Sequence, residues 1–302
     1  MSAVRVEQLD NPAEFLRRAA SLLETSEARH NLIYGLAGTL VSDPDAYPAF
    51  DLWIAEDSGV PVAAALRTPP YNVVVADARD STSIDVLAQA VADVDPDVAG
   101  AAGNVPTIDR FASAWGAVTG SGVERTMAQG IFALERVMPV AEPPAGSARP
   151  ATPDDRDLAI AWIAAFGEEA VPDDPRDHQR LLEFVDRRIA GQGGAGLWLW
   201  DVGGDVVSLT VHSGRTPHGI RIGPVYTPPN RRGNGYASAL VAEQSSWLLA
   251  GGRRFCFLFT DLSNPTSNAI YRRIGYQQVA EAAMFTFTRP GSPGGQAASE
   301  SE

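Results

Sequence analysis

The chain has 302 residues, 45% of them hydrophobic and 20% charged, which fits about two ordinary globular domains. Its formal net charge of −13 argues against nucleic acid as a partner, because phosphate backbones require a basic surface. The one cysteine, Cys256, excludes an internal disulfide and favours a cytoplasmic protein with this thiol buried in the run RRFCFLFT. The first residues lack the apolar core of a signal peptide, and no segment approaches the ~18 apolar residues that span a bilayer. We therefore expect no membrane partner.

Two halves of the chain carry similar patterns. In the first half, helical patterns precede the predicted hairpin DLWIAEDSGVPVAAALRTPP, which begins at Asp51. In the second, they precede GLWLWDVGGDVVSLTVHSGRTP, which begins at Gly196. The repeat indicates a duplicated α/β (α+β) domain, and a chance match of two hairpins is the alternative. We predict domains over 1–137 and 151–288, a linker over 138–150 (MPVAEPPAGSARP) and a disordered tail over 289–302.

The second half alternates strand and helix patterns in an order that mixes hairpins with a crossover. After two helices, the predicted strands and helices are Leu197–Asp201, Val206–His212, Gly219–Tyr226, helix Tyr236–Ala250, Phe255–Thr260, helix Pro265–Ile274 and Met284–Thr288. Hairpins followed by a strand–helix–strand crossover predict a mixed sheet flanked by helices.

The segment PVYTPPNRRGNGYASALV joins a strand to a helix through glycines. Gly233 and Gly235 permit positive φ, so successive backbone N–H groups and the positive end of the helix from Tyr236 can converge on a phosphate. Arg231 and Arg232 can add charged contacts. Tight strand-to-helix turns also use glycine without a ligand, so both interpretations stay open for the turn alone.

The segment NPTSNAIYRRIGY forms the second cluster. Asn264, followed by Pro265, is typical of a helix N-cap. Tyr271 follows two helical turns later and faces the same side as Asn264, with Ser267 between them. Such a polar stripe can be merely solvated or can line a site.

Together, these segments resemble the GNAT superfamily of N-acetyltransferases. Arg232, Gly235 and Ala237 match its acetyl-coenzyme A signature, and Asn264, Ser267 and Tyr271 match its second block, in the family's order and near its spacing. The resemblance covers residues 151 to about 288, and only loosely, by architecture, residues 1–137. It implies two tandem GNAT-like domains, each a mixed, mostly antiparallel sheet flanked by helices.

The resemblance also implies a reaction and a site. GNAT enzymes transfer an acetyl group from acetyl-CoA directly to an amine without a metal, and here Tyr271 would protonate the departing thiolate. It predicts the following cofactor-binding residues: Val225, Tyr226, Thr227, Arg231, Arg232, Gly233, Asn234, Gly235, Tyr236, Ala237, Asn264, Ser267 and Tyr271. The N–H of Val225 or Tyr226 would polarise the acetyl oxygen.

The general base is not identified. Many family members place a glutamate on the strand before the glycine turn, but GIRIGPVY contains no carboxylate. His212, Glu168 and Glu169 are substitutes, each of which is more often an ordinary surface residue, and a water chain or a neutral amine would also serve.

The first half lacks the signature, since VADARDSTSIDVL stands where the glycine turn should be and NVPTIDRFASAWGAV lacks the tyrosine. We interpret it as a degenerate copy that braces the second half or helps to form the amine pocket.

Several functions and partners remain open. The leading hypothesis is an N-acetyltransferase for a small-molecule or peptide amine, for which an acidic protein suits a cationic acceptor although net charge decides little. A mycothiol-synthase-like subtype, a non-catalytic acetyl-CoA-binding or scaffold protein and another nucleotide binder are the alternatives. A homodimer is possible.

Overall fold

A computed structural model describes residues 4–139, 142–170 and 177–289. The predicted tail, residues 289–302, lies outside the described residues except for Arg289.

The first half alternates strands and helices in the order expected of an α/β unit. Its strands are β1 (Arg5–Leu9), β2 (Asp51–Asp57), β3 (Val60–Arg67), β4 (Val73–Val75), β5 (Gly100–Asn104) and β6 (Gly122–Leu134). Its α-helices are α1 (Pro12–Leu23), α2 (Asn31–Ser42), α3 (Ser81–Val94) and α4 (Thr107–Thr119).

The second half repeats that order element by element. Its strands are β7 (Ser147–Pro150), β8 (Gly196–Val202), β9 (Asp205–Arg215), β10 (Gly219–Tyr226), β11 (Phe255–Asp261) and β12 (Gln277–Thr288). Its α-helices are α5 (Arg156–Ala170), α6 (His178–Ile189), α7 (Tyr236–Ala250) and α8 (Pro265–Arg273). The predicted mixed sheet flanked by helices is confirmed.

One stretch differs from the expected linker. Ser147–Pro150 form strand β7, which pairs antiparallel with β8 at the edge of the sheet. Just before this strand, the Trp200 indole N–H donates a hydrogen bond to the Ala145 carbonyl over 3.0 Å. Because an edge strand needs only one row of hydrogen bonds, a Pro- and Ala-rich segment with no alternation can form one.

All strands join a single sheet in which the two halves exchange their last strands. The order is β1-β2-β3-β4-β5-β12-β6-β11-β10-β9-β8-β7. Strand β6 of the first half pairs with β11 of the second, and β12 of the second half pairs with β5 of the first. The exchanged strands also pair with each other along Gln277–Thr288. Two separate sheets, as the sequence suggested, therefore do not form.

Both faces of the sheet are covered by helices. In β2, alternation sends Leu52 and Ile54 towards α1 and α2, and Trp53 and Ala55 towards α3 and α4. In the second half, α5 and α6 cover one face of β8 and β9, and α7 covers the other. Helix α2 of the first half also crosses onto β9, where a methyl group on Gly35 would lie only 2.8 Å from the Gly214 Cα.

The exchange predicts that the second half does not fold alone. A fragment of residues 142–302 lacks β6, so β11 loses its outer partner and β12 loses both of its neighbours. We expect it to be aggregated or to show no cooperative thermal transition by circular dichroism, because long unpaired strand edges associate. Co-expression with residues 1–139 should restore the full-length transition, and a fragment that melts cooperatively by itself would contradict this account.

Candidate active site

Strands β10 and β11 diverge and leave an open strand edge. They pair in parallel only where Gly219–Arg221 face Phe255–Phe257. Beyond that point β10 stays with β9, through Val225 opposite Thr210, while β11 stays with β6. Among the described strands, none pairs with the β11-facing side of β10 from Ile222 to Tyr226. Backbone donors and acceptors there are available to an extended ligand.

The end of β10 and the residue that follows it are held from the side by β9. The Ser208 hydroxyl donates to the Tyr226 carbonyl over 3.1 Å and lies 2.9 Å from the Thr227 hydroxyl oxygen. Val225 is half-buried against the core below α7. These bonds to β9 fix the end of β10. The end of β10 is therefore held apart from β11.

The glycine turn presents open space in front of α7. Gly233 and Gly235 have φ of +83° and +79°, which other residues rarely adopt. An added Cβ on Gly233 would meet nothing within 4 Å, and on Gly235 only Pro144, at 3.9 Å or more. Gly235 is the N-cap of α7 and provides no side-chain cap, while Tyr236 and Ala237 form the first turn. The N–H groups at this helix start therefore face unfilled space.

Asn234 shapes this turn from within. Its amide donates to the carbonyls of Arg231 and Arg232 over 3.0 and 3.2 Å. This amide therefore fixes the two backbone carbonyls just before Gly233.

Both arginines of the turn are engaged in ion pairs. Arg231 donates to Asp205 over 2.5 Å, and Arg232 donates to Glu169 over 2.6 Å. Arg232 also bonds the Thr227 carbonyl over 2.9 Å, which ties the turn to the end of β10. Their side chains remain 44% and 49% exposed, so these bonds are screened by water.

Helix α8 begins as its sequence predicts. The Asn264 side chain accepts from the Ser267 N–H over 3.0 Å, with Pro265 in the first turn, so the predicted N-cap is confirmed. One turn further, Asn268 is buried and donates to the carbonyls of Asp261 and Leu262. These contacts fix α8 against the end of β11, next to the open edge.

Tyr271 is half-buried on α8 with its ring against Tyr276, the centroids 6.0 Å apart. Its hydroxyl has no hydrogen-bond partner among the described residues. Burial raises the pKa of Tyr271 to about 12, so the phenol keeps its proton at neutral pH. Burial would also raise the pKa of a thiol in the same place. The difference between the pKa values of the phenol and the thiol would therefore widen by less than the shift of Tyr271 alone.

His212 is not placed to act as a base. It is buried on the α7 side of the sheet, where its Nδ1 lies 3.2 Å from Gln244 Nε2 and its ring packs on Trp247. Burial, and then the charge of Arg215, lower its pKa to about 4, so it stays neutral at pH 7 and is a weak base. The alternation of β9 places His212 on this face, since one residue either way faces the other side.

Glu169 lies on the opposite, α5 side of the sheet. One carboxylate oxygen pairs with Arg232, and the other accepts from the Tyr226 hydroxyl at 3.5 Å. Trp162 packs on the same tyrosine ring. Glu168 is exposed on the same helix. Sequence reasoning missed the Arg232–Glu169 pair, because the sixty-odd residues between them give no local signal of contact.

In the first half, the place that corresponds to the open strand edge, between the ends of β4 and β5, is filled. Arg29 bridges the ends of β4 and β5 by bonding Asp77 over 2.6 Å and the Val105 carbonyl over 3.5 Å. His30 accepts from the Asp77 N–H. Although burial alone would raise the pKa of Asp77, its neighbours His30 and Arg29 hold that pKa well below its usual value. A cavity of about 30 Å³ remains here, which is room for about one water.

The helix start of the first half is closed as well. The Asp80 carboxylate accepts from the Ser83 N–H over 2.8 Å at the N-terminus of α3. This negative cap occupies donors that a phosphate would need.

Two negative findings concern the described residues only. They include no helix that is both long and apolar enough to cross a membrane. They also include no cluster of histidine, cysteine or acidic side chains suited to a metal ion.

The open strand edge and the glycine turn both lie within a stretch of the chain that matches a known family. Residues 159–276 match the model of the acetyltransferase (GNAT) family. No curated protein matches the sequence.

Solved structures share the fold over nearly the whole chain. A GNAT-family acetyltransferase from Colwellia psychrerythraea is 9% identical, covers 95% of this chain and 100% of its own, and has a TM-score of 0.60. A GCN5-related N-acetyltransferase from Sphaerobacter thermophilus is 18% identical, with coverages of 96% and 97% and a TM-score of 0.62. A tandem GNAT protein from the clavulanic acid biosynthesis pathway is 15% identical, with coverages of 96% and 100% and a TM-score of 0.58. At these identities the likeness concerns the fold alone.

Proposed function

We propose that this protein transfers the acetyl group of acetyl-CoA directly to an amine of a small molecule or peptide. The observation that carries the proposal is the open edge of β10 leading into an unfilled glycine turn at the start of α7. The extended pantetheine arm of acetyl-CoA can form hydrogen bonds to the strand edge at Val225, Tyr226 and Thr227. The diphosphate of acetyl-CoA can accept hydrogen bonds from the N–H groups of residues 233–237. Arg231 and Arg232 would then exchange their carboxylate partners for phosphate oxygens.

The second block completes this arrangement. Asn264 and Ser267 hold the start of α8, and Tyr271 lies on its next turns beside the open edge. The acceptor nitrogen forms a bond to the thioester carbon, the carbon–sulfur bond breaks, and the Tyr271 phenol gives its proton to the sulfur. The N–H of Val225 or Tyr226 stabilises the charge that develops on the carbonyl oxygen. The amine releases its own proton to water, from which the Tyr271 phenolate regains one, and no side chain is assigned as the general base.

We also propose that the first half is a degenerate copy with no cofactor of its own. The Arg29 bridge and the Asp80 cap support this proposal. They fill the strand edge between β4 and β5 and the start of α3, where acetyl-CoA would lie. Isothermal titration calorimetry with acetyl-CoA should then give one site per chain. A stoichiometry of two would refute the proposal for the first half and leave the second untouched.

A non-catalytic acetyl-CoA-binding protein is the second candidate. The raised pKa of Tyr271 and the lack of a placed base favour it. The discriminating experiment measures free CoA thiol, with a thiol-reactive dye, after mixing the protein and acetyl-CoA with a panel of amines. Amine-dependent thiol release supports transfer, whereas tight binding without release across the panel supports the binding protein. The mycothiol-synthase-like subtype predicts release with amines of that substrate class alone.

A further inference from the structure

Arg221 is a charged residue inside an otherwise apolar part of β10. Its neighbours Ile220 and Ile222 are buried in the core below α7, so the Arg221 side chain points to the opposite face. That face carries the Tyr226 ring, Trp162 and Glu169. Arg221 is also the last β10 residue that pairs with β11, so it stands where the open edge begins.

The guanidinium of Arg221 is held against the first half without a counter-charge. A methyl group on Gly214 would lie 3.2 Å from its Nη2, and Gly214 itself packs on Gly35 of α2. Its Nη1 is a buried atom with no hydrogen-bond partner. Among the described residues it forms no ion pair, and the ionisable group that acts on it is the Tyr47 phenol.

The acids of the first half that reach the second are engaged elsewhere. Glu27 bonds the Thr216 hydroxyl together with the backbone and ring of His218, and Asp43 pairs with Arg187. Burial lowers the pKa of Arg221, which reflects the cost of keeping a cation there. An unpaired charge with a buried Nη1 opposes folding, so its presence needs a compensating role.

We propose that Arg221 binds a carboxylate of the acceptor, so that the substrate is an amino acid or a similar amine that also carries a carboxylate. This inference rests on the proposed acetyl transfer. The carboxylate would pair with the guanidinium at the start of the open edge, and the amine would reach the thioester further along it. Arg221 takes no part in the bond changes and acts as a specificity residue.

The test compares matched acceptors that differ only in the carboxylate, such as phenylalanine and phenethylamine, or ornithine and putrescine. In acetyl-transfer assays, kcat/KM should favour the carboxylate member by about 10- to 100-fold, as expected for charged hydrogen bonds. Arg221→Gln should remove this preference mainly through KM, and Arg221→Lys should retain part of it. Arg215→Gln, which alters an exposed arginine on β9, is the matched control and should preserve the preference.

Thermal stability separates this role from a structural one. Because the unpaired cation opposes folding, Arg221→Met should raise Tm, whereas loss of a structural arginine would lower it. Saturation-transfer NMR with CoA and N-acetyl amino acids, against the corresponding N-acetyl amines, tests binding without turnover. Equal binding of both sets, or binding of neither, overturns the carboxylate proposal. Transfer without any carboxylate preference overturns it while the proposed acetyltransferase stands.

Discussion

Phenylalanine in place of Tyr271 is expected to lower kcat by about 10²- to 10⁴-fold, the range for loss of a general acid. The Kd for acetyl-CoA should stay within about two-fold of wild type, because the substitution removes one hydroxyl and keeps the ring against Tyr276. With a pKa of about 12, the phenol stays protonated throughout an assay from pH 6 to 10. The wild-type rate should therefore rise with pH as the amine loses its proton, without an alkaline fall due to Tyr271.

Tyr34→Phe is the matched control for this experiment. Tyr34 also carries a buried hydroxyl with no hydrogen-bond partner among the described residues, but it lies on α2 of the first half. Its loss should leave kcat unchanged. If Tyr271→Phe turns over at the wild-type rate, the leaving thiolate takes its proton from elsewhere and the role given to Tyr271 is wrong.

Valine in place of Gly235 is expected to weaken acetyl-CoA binding by about a hundred-fold, equivalent to about 2.7 kcal/mol. At φ of +79°, a residue with a Cβ costs about 1–2 kcal/mol in backbone strain. The new side chain would also stand in the open space before α7, where the N–H groups would meet phosphate. Calorimetric titration with acetyl-CoA measures the loss.

Gly252→Val separates backbone strain from loss of the phosphate site. Gly252 lies just beyond the other end of α7, has φ of +94° and would place a Cβ in equally open space. A similar fall in Tm for both variants, with binding lost only at Gly235, is the expected pattern. Equal affinities for acetyl-CoA in the two variants would place the diphosphate away from the turn.

Local chemistry made parts of this molecule predictable. An asparagine followed by a proline predicts the start of α8. Two closely spaced glycines predict the turn before α7, because few other residues adopt positive φ. The breadth of α7 burial was harder to see. Ser238, Ala239 and Ser245 are buried together with Leu240, Val241 and Leu248, since small residues allow close packing without an apolar signature.

Non-local pairings were not predictable in the same way. The exchange of β6 and β12 depends on which edge each strand meets, and an apolar strand pattern is compatible with either edge. The Arg29 bridge that fills the first half and the unpaired Arg221 of the second were missed for a related reason. An arginine in a sequence gives no sign of whether it ends in an ion pair, in water or alone.

Amide hydrogen exchange with and without acetyl-CoA tests the central claim most directly, because that claim concerns particular backbone N–H groups. We predict that added acetyl-CoA slows exchange in residues 222–227 and 233–237, and leaves residues 76–83 of the first half unchanged. Protection at the start of α3 would contradict the claim. So would a lack of protection at both the glycine turn and the strand edge.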